Sequence, residues 1–373
     1  MKKSIYAVAT GAIFALGLAA CGAPPEGGDD PAPEDTQETD DGGEGDSPEA
    51  EGVDFTACMV SDEGGFDDAS FNESGFNGLK KAEDELGVEI HSAESNDPSD
   101  YDSNVDSQVQ AGCDLIIGVG FALKDTIAAS AEANPEVYYA LVDEQFDDPI
   151  DNARPLVFNT QEASFLAGYL AAGMSETGTV ATYGGQLFPS VTIFMDGFVD
   201  GVDHYNETND ADVTALGWDK EKQDGSATGD FSNVENGYNT TQQFISQGAD
   251  IILPVAGPVG SGSLKAASEE DGVSVIWVDS DGYEQDANAD HKDLILTSVV
   301  KEIAQSVFDT IEAAVNDQFS ADPYVGTLEN EGVSLAPFHD FEDEVPDELR
   351  SEIEDLQQQI VSGELEVTSP SQN

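Results

Sequence analysis

Basic residues are the scarcest feature of this 373-residue chain: 12 Lys and Arg stand against 77 Asp and Glu, a formal net charge of −65. Between Gly22 and Leu79 there is no Lys or Arg at all. Such a chain repels nucleic acid, whose binding requires cations set against phosphates, so a nucleic-acid partner is excluded. Self-repulsion on this scale works against a compact state unless it is screened, and molar salt shortens the screening length to about 3 Å. The acids are spread along the chain rather than gathered in one block, which predicts a halophilic protein.

Cysteine and histidine are also few, three and four. No pair of cysteines has the spacing of a zinc site. His91, His204, His291 and His339 are far apart, so neither a metal cluster nor a Ser/His/Asp nucleophile arrangement is legible, and no metal or cofactor is expected. Cys58 and Cys113 fall in or beside predicted strands. A disulfide is chemically allowed outside the cell, but both read as small core residues, and buried thiols are the expected state. Beyond the first 20 residues, no apolar run is long enough to span a bilayer.

The start of the chain is a short positive segment, Met1-Lys2-Lys3, an apolar run from Ile5 to Leu18, and Leu18-Ala19-Ala20-Cys21-Gly22. This reads as a signal peptide over residues 1–21, and its end resembles a bacterial lipobox in which Cys21 is lipidated and becomes the mature N-terminus. Residues 22–52 are Pro, Gly, Asp, Glu, Ser and Thr with almost no large apolar side chain. They cannot bury enough surface to fold and predict a disordered acidic tether. A lipid anchor and a leash place the folded part at the outer face of a membrane.

From Phe55 onward, strands and helices alternate, the pattern of parallel sheets covered on both faces. The first unit is the most informative: strand Phe55–Val60, a Gly-rich acidic turn, then a helix whose Phe76, Leu79, Ala82 and Leu86 share one face. Ser70 and Glu73 have capping-box spacing. Ligands bind outside the carboxyl ends of such strands, so Asp62, Glu63, Asp67, Asp68 and Phe71 face a cleft; the alternative is a solvated acidic turn with Phe71 in the core. Later strands end at Phe121, Asp143, Gly184, Gly257 and Asp279, and Lys301 is read as opening a helix to Val315. Asp219–Asn236 reads as an exposed insertion in which a change at Asp230 leaves binding alone. The Gly257–Gly262 run has neither Walker spacing nor its Lys-Ser/Thr pair, and is read as a close backbone approach to ligand or a helix entry. The whole is an α/β chain of two successive units with a cleft between them.

With those residues collected, the chain resembles the basic membrane protein family, lipoproteins that bind purine nucleosides for ABC importers. The resemblance runs from about Phe55 to Val367. It is carried by Gly65-Phe66-Asp67-Asp68-Ala69-Ser70-Phe71-Asn72, Gly118-Val119-Gly120-Phe121, Glu162-Ala163-Ser164-Phe165-Leu166-Ala167-Gly168-Tyr169, Asp196-Gly197-Phe198, Val278-Asp279-Ser280-Asp281 and Thr297-Ser298-Val299-Val300-Lys301. It implies a type I periplasmic-binding-protein fold: two doubly wound parallel-sheet lobes and a hinged cleft. The expected lobes are residues 53–158 with 283–320, and residues 159–282 with 321–373. It also implies a nucleoside ligand, with Asp62 before the glycine turn, Phe71 stacking on the base, Asp143 bonding the base edge, and Asp279 and Lys301 gripping the ribose beside Gly257. Glu63 stands where the family often has Asn. A second stacking aromatic is expected near the end of Ile251–Val255, where Leu253, Pro254 and Val255 stand instead.

The chemistry agrees with that assignment. An ionised Asp279 only accepts hydrogen bonds and can take both ribose hydroxyls. A base stacked on an aromatic contributes about 1–3 kcal/mol. The plainer alternatives are a turn acid for Asp279 and a helix-surface lysine for Lys301. The reading is therefore a monomeric, lipid-anchored solute-binding protein that captures a nucleoside, closes, and docks on ABC permease subunits. A module feeding a sugar or a signalling ligand to a receptor is the alternative, since one fold serves many solutes. An enzyme is not expected.

Overall fold

The computed structural model describes residues 53–68 and 70–372. The signal peptide, Cys21 and the tether over 22–52 lie outside the described residues. Strands β1 (Thr56–Glu63), β2 (Glu89–Ser95), β3 (Leu115–Val119), β4 (Tyr138–Val142) and β5 (Ala153–Phe158) alternate with helices α1 (Phe71–Leu86), α2 (Tyr101–Ala111) and α3 (Lys124–Ala133). The chain then runs through α4 (Thr160–Met174), β6 (Thr179–Gly184), α5 (Pro189–Asn209), β7 (Thr214–Leu216), β8 (Trp218–Asp219), β9 (Asp224–Gly225), α6 (Val234–Ser246), β10 (Ile251–Val255), α7 (Gly260–Ala267), β11 (Ser274–Asp279) and β12 (Ile295–Lys301). It ends with α8 (Ile303–Val315), β13 (Tyr324–Gly326), β14 (Val333–Leu335) and α9 (Asp347–Val361).

Two six-stranded sheets result, ordered β13-β5-β4-β3-β1-β2 and β14-β12-β11-β10-β6-β7. The first is parallel throughout, and in the second only β12 and β14 pair antiparallel. Central strands such as β3 (LIIGV) and β11 (SVIWVD) are buried along their whole length, as both-face-covered parallel strands must be.

The expected partition of the lobes needs correction. Residues 283–320 are divided: β12 pairs with β11 and belongs to the second sheet, while α8 crosses back and packs on α1. Strand β13, expected in the second lobe, pairs with β5 in the first. The chain therefore passes between lobes after β5, after β12 and after β13. These crossings are tied together by Asn159 N donating to Gly326 O (2.7 Å), Glu302 N donating to Gly332 O (3.0 Å), and Glu162 Oε2 accepting from Leu328 N (2.8 Å).

Cys58 and Cys113 are joined in a disulfide, their Cα atoms 6.0 Å apart, contrary to the expected thiols. Cys58 lies in β1 and Cys113 just before β3, and those strands are neighbours, so residues 55 apart in sequence meet. His91 on β2 lies close by, but the disulfide uses both thiolates that would make a three-ligand cluster with it.

Candidate functional site

The strand ends of both lobes meet at one cleft enclosing about 260 Å³, and Asp62, Glu63, Phe71, Asp143, Gly257, Asp279 and Lys301 all line it. Its floor in the first lobe is set by sheet order. Asp62 is on β1, Gly120 follows β3 and Asp143 follows β4, so Asp62 and Asp143 are two strands apart, about 10 Å at ordinary strand spacing. The second lobe brings Lys301 from β12, Asp279 from β11 and Gly257 from the end of β10.

Lys301 is the centre of one end. It is the last residue of β12, not the first of a helix, and its side chain is only 2% exposed. Its Nζ donates to Asp143 Oδ2 at 2.5 Å and to Asp279 Oδ1 at 3.0 Å, one acid from each lobe. The ammonium also lies 4.9 Å from the ring centre of Phe71 and 5.1 Å from that of Phe194, within cation–π range. Burial works against the charge, but Asp143 and Asp279 outweigh it and hold the lysine above its ordinary pKa. A lysine this deep requires such pairing. Both acids have left-handed backbone, φ +65° at Asp143 and +70° at Asp279, a conformation costly for most residues with a Cβ but open to Asp. Asp143, expected at the base edge, accepts from Lys301 through Oδ2. Asp279 Oδ2 accepts from Ser70 Oγ at 2.9 Å.

That contact explains why the expected capping box is absent. Ser70 turns its hydroxyl to Asp279 and makes no side-chain cap. Asp68 caps α1 instead, its Oδ1 accepting from Ser70 N and Glu73 N and its Oδ2 from Asn72 N, each at 3.0 Å. Asn72 Nδ2 then links Asp68 Oδ2 (3.3 Å) to Asp62 Oδ1 (3.0 Å). Burial pushes Asp62 up to about 7; Asn72 opposes this, and Asp68, Glu63 and Asp143 add to it.

The cleft also has an aromatic wall, of which Phe121 was collected as a strand-end residue and Phe188 and Phe231 were not. Phe121 from the first lobe stacks on Phe188 from the second, ring centres 4.6 Å apart, and Phe188 lies 6.2 Å from Phe231. All three rings line the cleft. Phe231 belongs to the segment read as an exposed insertion. Its backbone is in fact fastened to the end of β6, with Thr228 N donating to Gly184 O (3.0 Å) and Gly229 N to Gly185 O (2.7 Å). The ring covers Gly185, where a Cβ would come within 2.3 Å of it. Asp230 holds the turn, accepting from Ser232 N, Asn233 N and Asn236 Nδ2. The only sequence signal was a Phe flanked by Gly, Asp and Ser, which also describes a solvent loop.

The profile of the PnrA-like ABC transporter substrate-binding proteins, the Bmp family, matches residues 55–371. A CD4+ T-cell-stimulating antigen of Listeria innocua is 30% identical, covering 98% of this chain and 99% of the relative. The ABC transporter nucleoside-binding protein BmpA of Lactococcus lactis is 29% identical over 85% of this chain and 90% of its own length. An ABC transporter solute-binding protein from Aeropyrum pernix superposes with a TM-score of 0.77 at 24% identity, covering 85% of this chain and 94% of that one, and thus shares the two-lobed periplasmic-binding-protein architecture. Members of this family bind solutes and are not enzymes. By this match over nearly all of its described residues, the chain belongs to the Bmp family of PnrA-like ABC transporter substrate-binding proteins.

Proposed function

We propose that the protein captures a purine nucleoside between its lobes and delivers it to an ABC permease. The observation that carries this reading is Lys301, buried between Asp143 and Asp279 beside Phe71, with Asp62 two strands from Asp143, about 10 Å at ordinary strand spacing. That span fits a sugar joined to a flat bicyclic base. Asp279 has about four acceptor positions; Lys301 and Ser70 take two, leaving the others for the 2′- and 3′-hydroxyls. The base lies between Phe71 and the Phe231 wall. A free pentose would leave that aromatic wall uncovered, which disfavours a sugar ligand. Among the described residues, the one cation that lines the cleft is already shared by two acids, so a phosphorylated nucleoside meets net negative charge and is rejected. The similarity to a relative named as nucleoside-binding supports the same class.

By the same reading, Cys21 carries the lipid and residues 22–52 link it to a binding unit that works as a monomer outside the cytoplasmic membrane, its acidic composition suiting high salt. Among the described residues no helix is long and apolar enough to cross a membrane. Titration calorimetry in molar KCl with inosine, guanosine, adenosine, ribose and amino acids tests the reading, together with mass spectrometry of ligand released from purified protein. Low-micromolar or tighter binding of a nucleoside is expected. Heat with a sugar or an amino acid, and none with any nucleoside, overturns it.

A further inference from the structure

The amino-terminal half of the first sheet holds a cluster that the cleft does not use. Cys58 on β1 and His91 on β2 are direct partners in the parallel register. Cys113 leads into β3, on the other side of β1. The two sulfurs and a ring nitrogen of His91 all lie within 4.8 Å of one another. Strand alternation puts Glu89 on the same face of β2 as His91, and its Oε1 is 3.2 Å from His91 Nε2. Both cysteines are buried and the imidazole is part-exposed, so the cluster reaches solvent past His91. Gln108 on α2 supplies a second observation. It is 5% exposed, and its Oε1 lies 3.7 Å from Cys113 Sγ. In the disulfide that sulfur carries no hydrogen, and among the described residues no other donor reaches this oxygen. A buried acceptor without a donor costs free energy. A thiol at Cys113 supplies the missing donor, and a cation held by the sulfurs brings positive charge to the same oxygen.

We propose that Cys58, Cys113 and His91 form a redox-gated site for a thiophilic divalent cation such as Zn2+. Opening the disulfide takes two electrons and two protons from a dithiol, which is itself oxidised to a disulfide, and leaves two protein thiols. Zn2+ then displaces both thiol protons into solvent, since the thiolate is the ligand. Two sulfurs and one imidazole nitrogen are a donor set that suits Zn2+, whereas the carboxylates spread over the rest of the chain suit Mg2+ and Ca2+. Two thiolates on tetrahedral Zn2+ stand about 3.8 Å apart, a separation that side-chain rotation supplies from Cα atoms 6.0 Å apart. Glu89 or water takes the fourth position. The disulfide ties only β1 to the start of β3, whereas the metal also ties in β2, the edge strand of the sheet. Oxidation therefore excludes the cation, and reduction exchanges a two-strand link for a three-strand one.

The test is titration of the full chain with Zn2+, and with Co2+ as its optical stand-in, in molar KCl with excess Mg2+ to occupy surface carboxylates. The chain is compared as purified and after reduction by a phosphine, which becomes the phosphine oxide as it opens the bond. The reduced chain is expected to take up one equivalent of Zn2+, and Co2+ to show thiolate-to-metal absorption in the reduced chain alone. Losing an outer partner of a metal-bound histidine already costs 10–100-fold in affinity, so His91→Ala is expected to weaken Zn2+ by more than about tenfold. Cys113→Ser is expected to abolish the one-equivalent uptake. Zn2+ uptake equal in the oxidised and reduced chains, or undiminished in reduced His91→Ala, overturns the site. Thermal scans cover a chain that reduction destabilises. Zn2+ at a hundred times its Kd is expected to raise the Tm of the reduced chain by about 4 °C and to leave the oxidised chain and reduced His91→Ala unshifted. No gain in the reduced chain, or the same gain in all three, overturns the proposal.

Discussion

Replacing Lys301 by Met tests the cleft most sharply. The substitution keeps an unbranched stem beside Phe71 and Phe194 but removes the ammonium that Asp143 and Asp279 share. Two buried carboxylates, 8% and 9% exposed at the side chain, are left facing each other. Removing one partner of such a buried group costs about 3–5 kcal/mol. For the roughly 320 described residues, unfolding entropy near 2.1 cal/mol/K per residue converts this to a fall in Tm of about 4–8 °C.

The pH dependence gives this prediction its sign. In the wild type, the raised Lys301 pKa contributes stability that is fully present below the lysine's unfolded value and lost only at high pH. This contribution is therefore constant from pH 5 to 8. In Lys301→Met, like charges at close range force one carboxyl to keep its proton. That raised pKa makes the variant lose stability as pH rises, so the deficit is small at pH 5 and full at pH 8. Scanning calorimetry at the two pH values in molar KCl measures it, and Lys301→Met with Asp143→Asn is expected to recover most of the loss. A deficit equal at both pH values, or no deficit, refutes the claim that the ammonium compensates this pair. Nucleoside affinity is expected to collapse in both variants, because neither restores the donor at the sugar end.

Phe231→Ala is expected to weaken nucleoside binding by the 1–3 kcal/mol of one stacking face, about 5- to 150-fold by calorimetry, and Phe71→Ala by a similar factor. Asp230→Ala removes the acceptor that organises residues 230–236; affinity is expected to fall severalfold, less than in Phe231→Ala, and unchanged affinity would show that the loop is held without it. Removing the Cys58–Cys113 disulfide by a double Ser substitution frees a 55-residue separation, expected to cost about 4 kcal/mol. Calorimetric unfolding reads that loss, and binding should be unaltered because the bridge lies away from the carboxyl ends of the strands. 2′-Deoxyinosine is expected to bind more weakly than inosine in competition calorimetry, since Asp279 loses a donor in a buried site.

How much of this was legible in the sequence depends on the range of the interaction. Asp62, Asp143, Gly257, Asp279 and Lys301 could be collected because each closes an apolar strand or follows one, and parallel sheets present those ends together. Their roles were less accessible. The resemblance implies Asp143 at the base edge; the lysine that also bonds it is 158 residues away on the other lobe, a pairing that no local pattern encodes. Ser70 has the spacing of a cap, but across the cleft Asp279 offers it a charge-assisted bond, and Asp68 takes over the helix end.

The same reasoning explains the errors at β12 and at Phe231. Which sheet receives β12 is decided by the free edge beside β11, after the chain has already crossed between lobes once. Hydropathy cannot see an edge. Phe231 sits in a stretch whose composition is that of a solvent loop, and its place is set by backbone bonds to Gly184 and Gly185 and by the flat surface that Gly185 offers the ring. A glycine pair at a strand end is thus a cue that can be searched for. Where a strand runs into adjacent glycines, an aromatic from a distant polar loop has a surface to cover, and the missing second wall of a stacking site can be sought in that loop as well as at the end of the neighbouring strand.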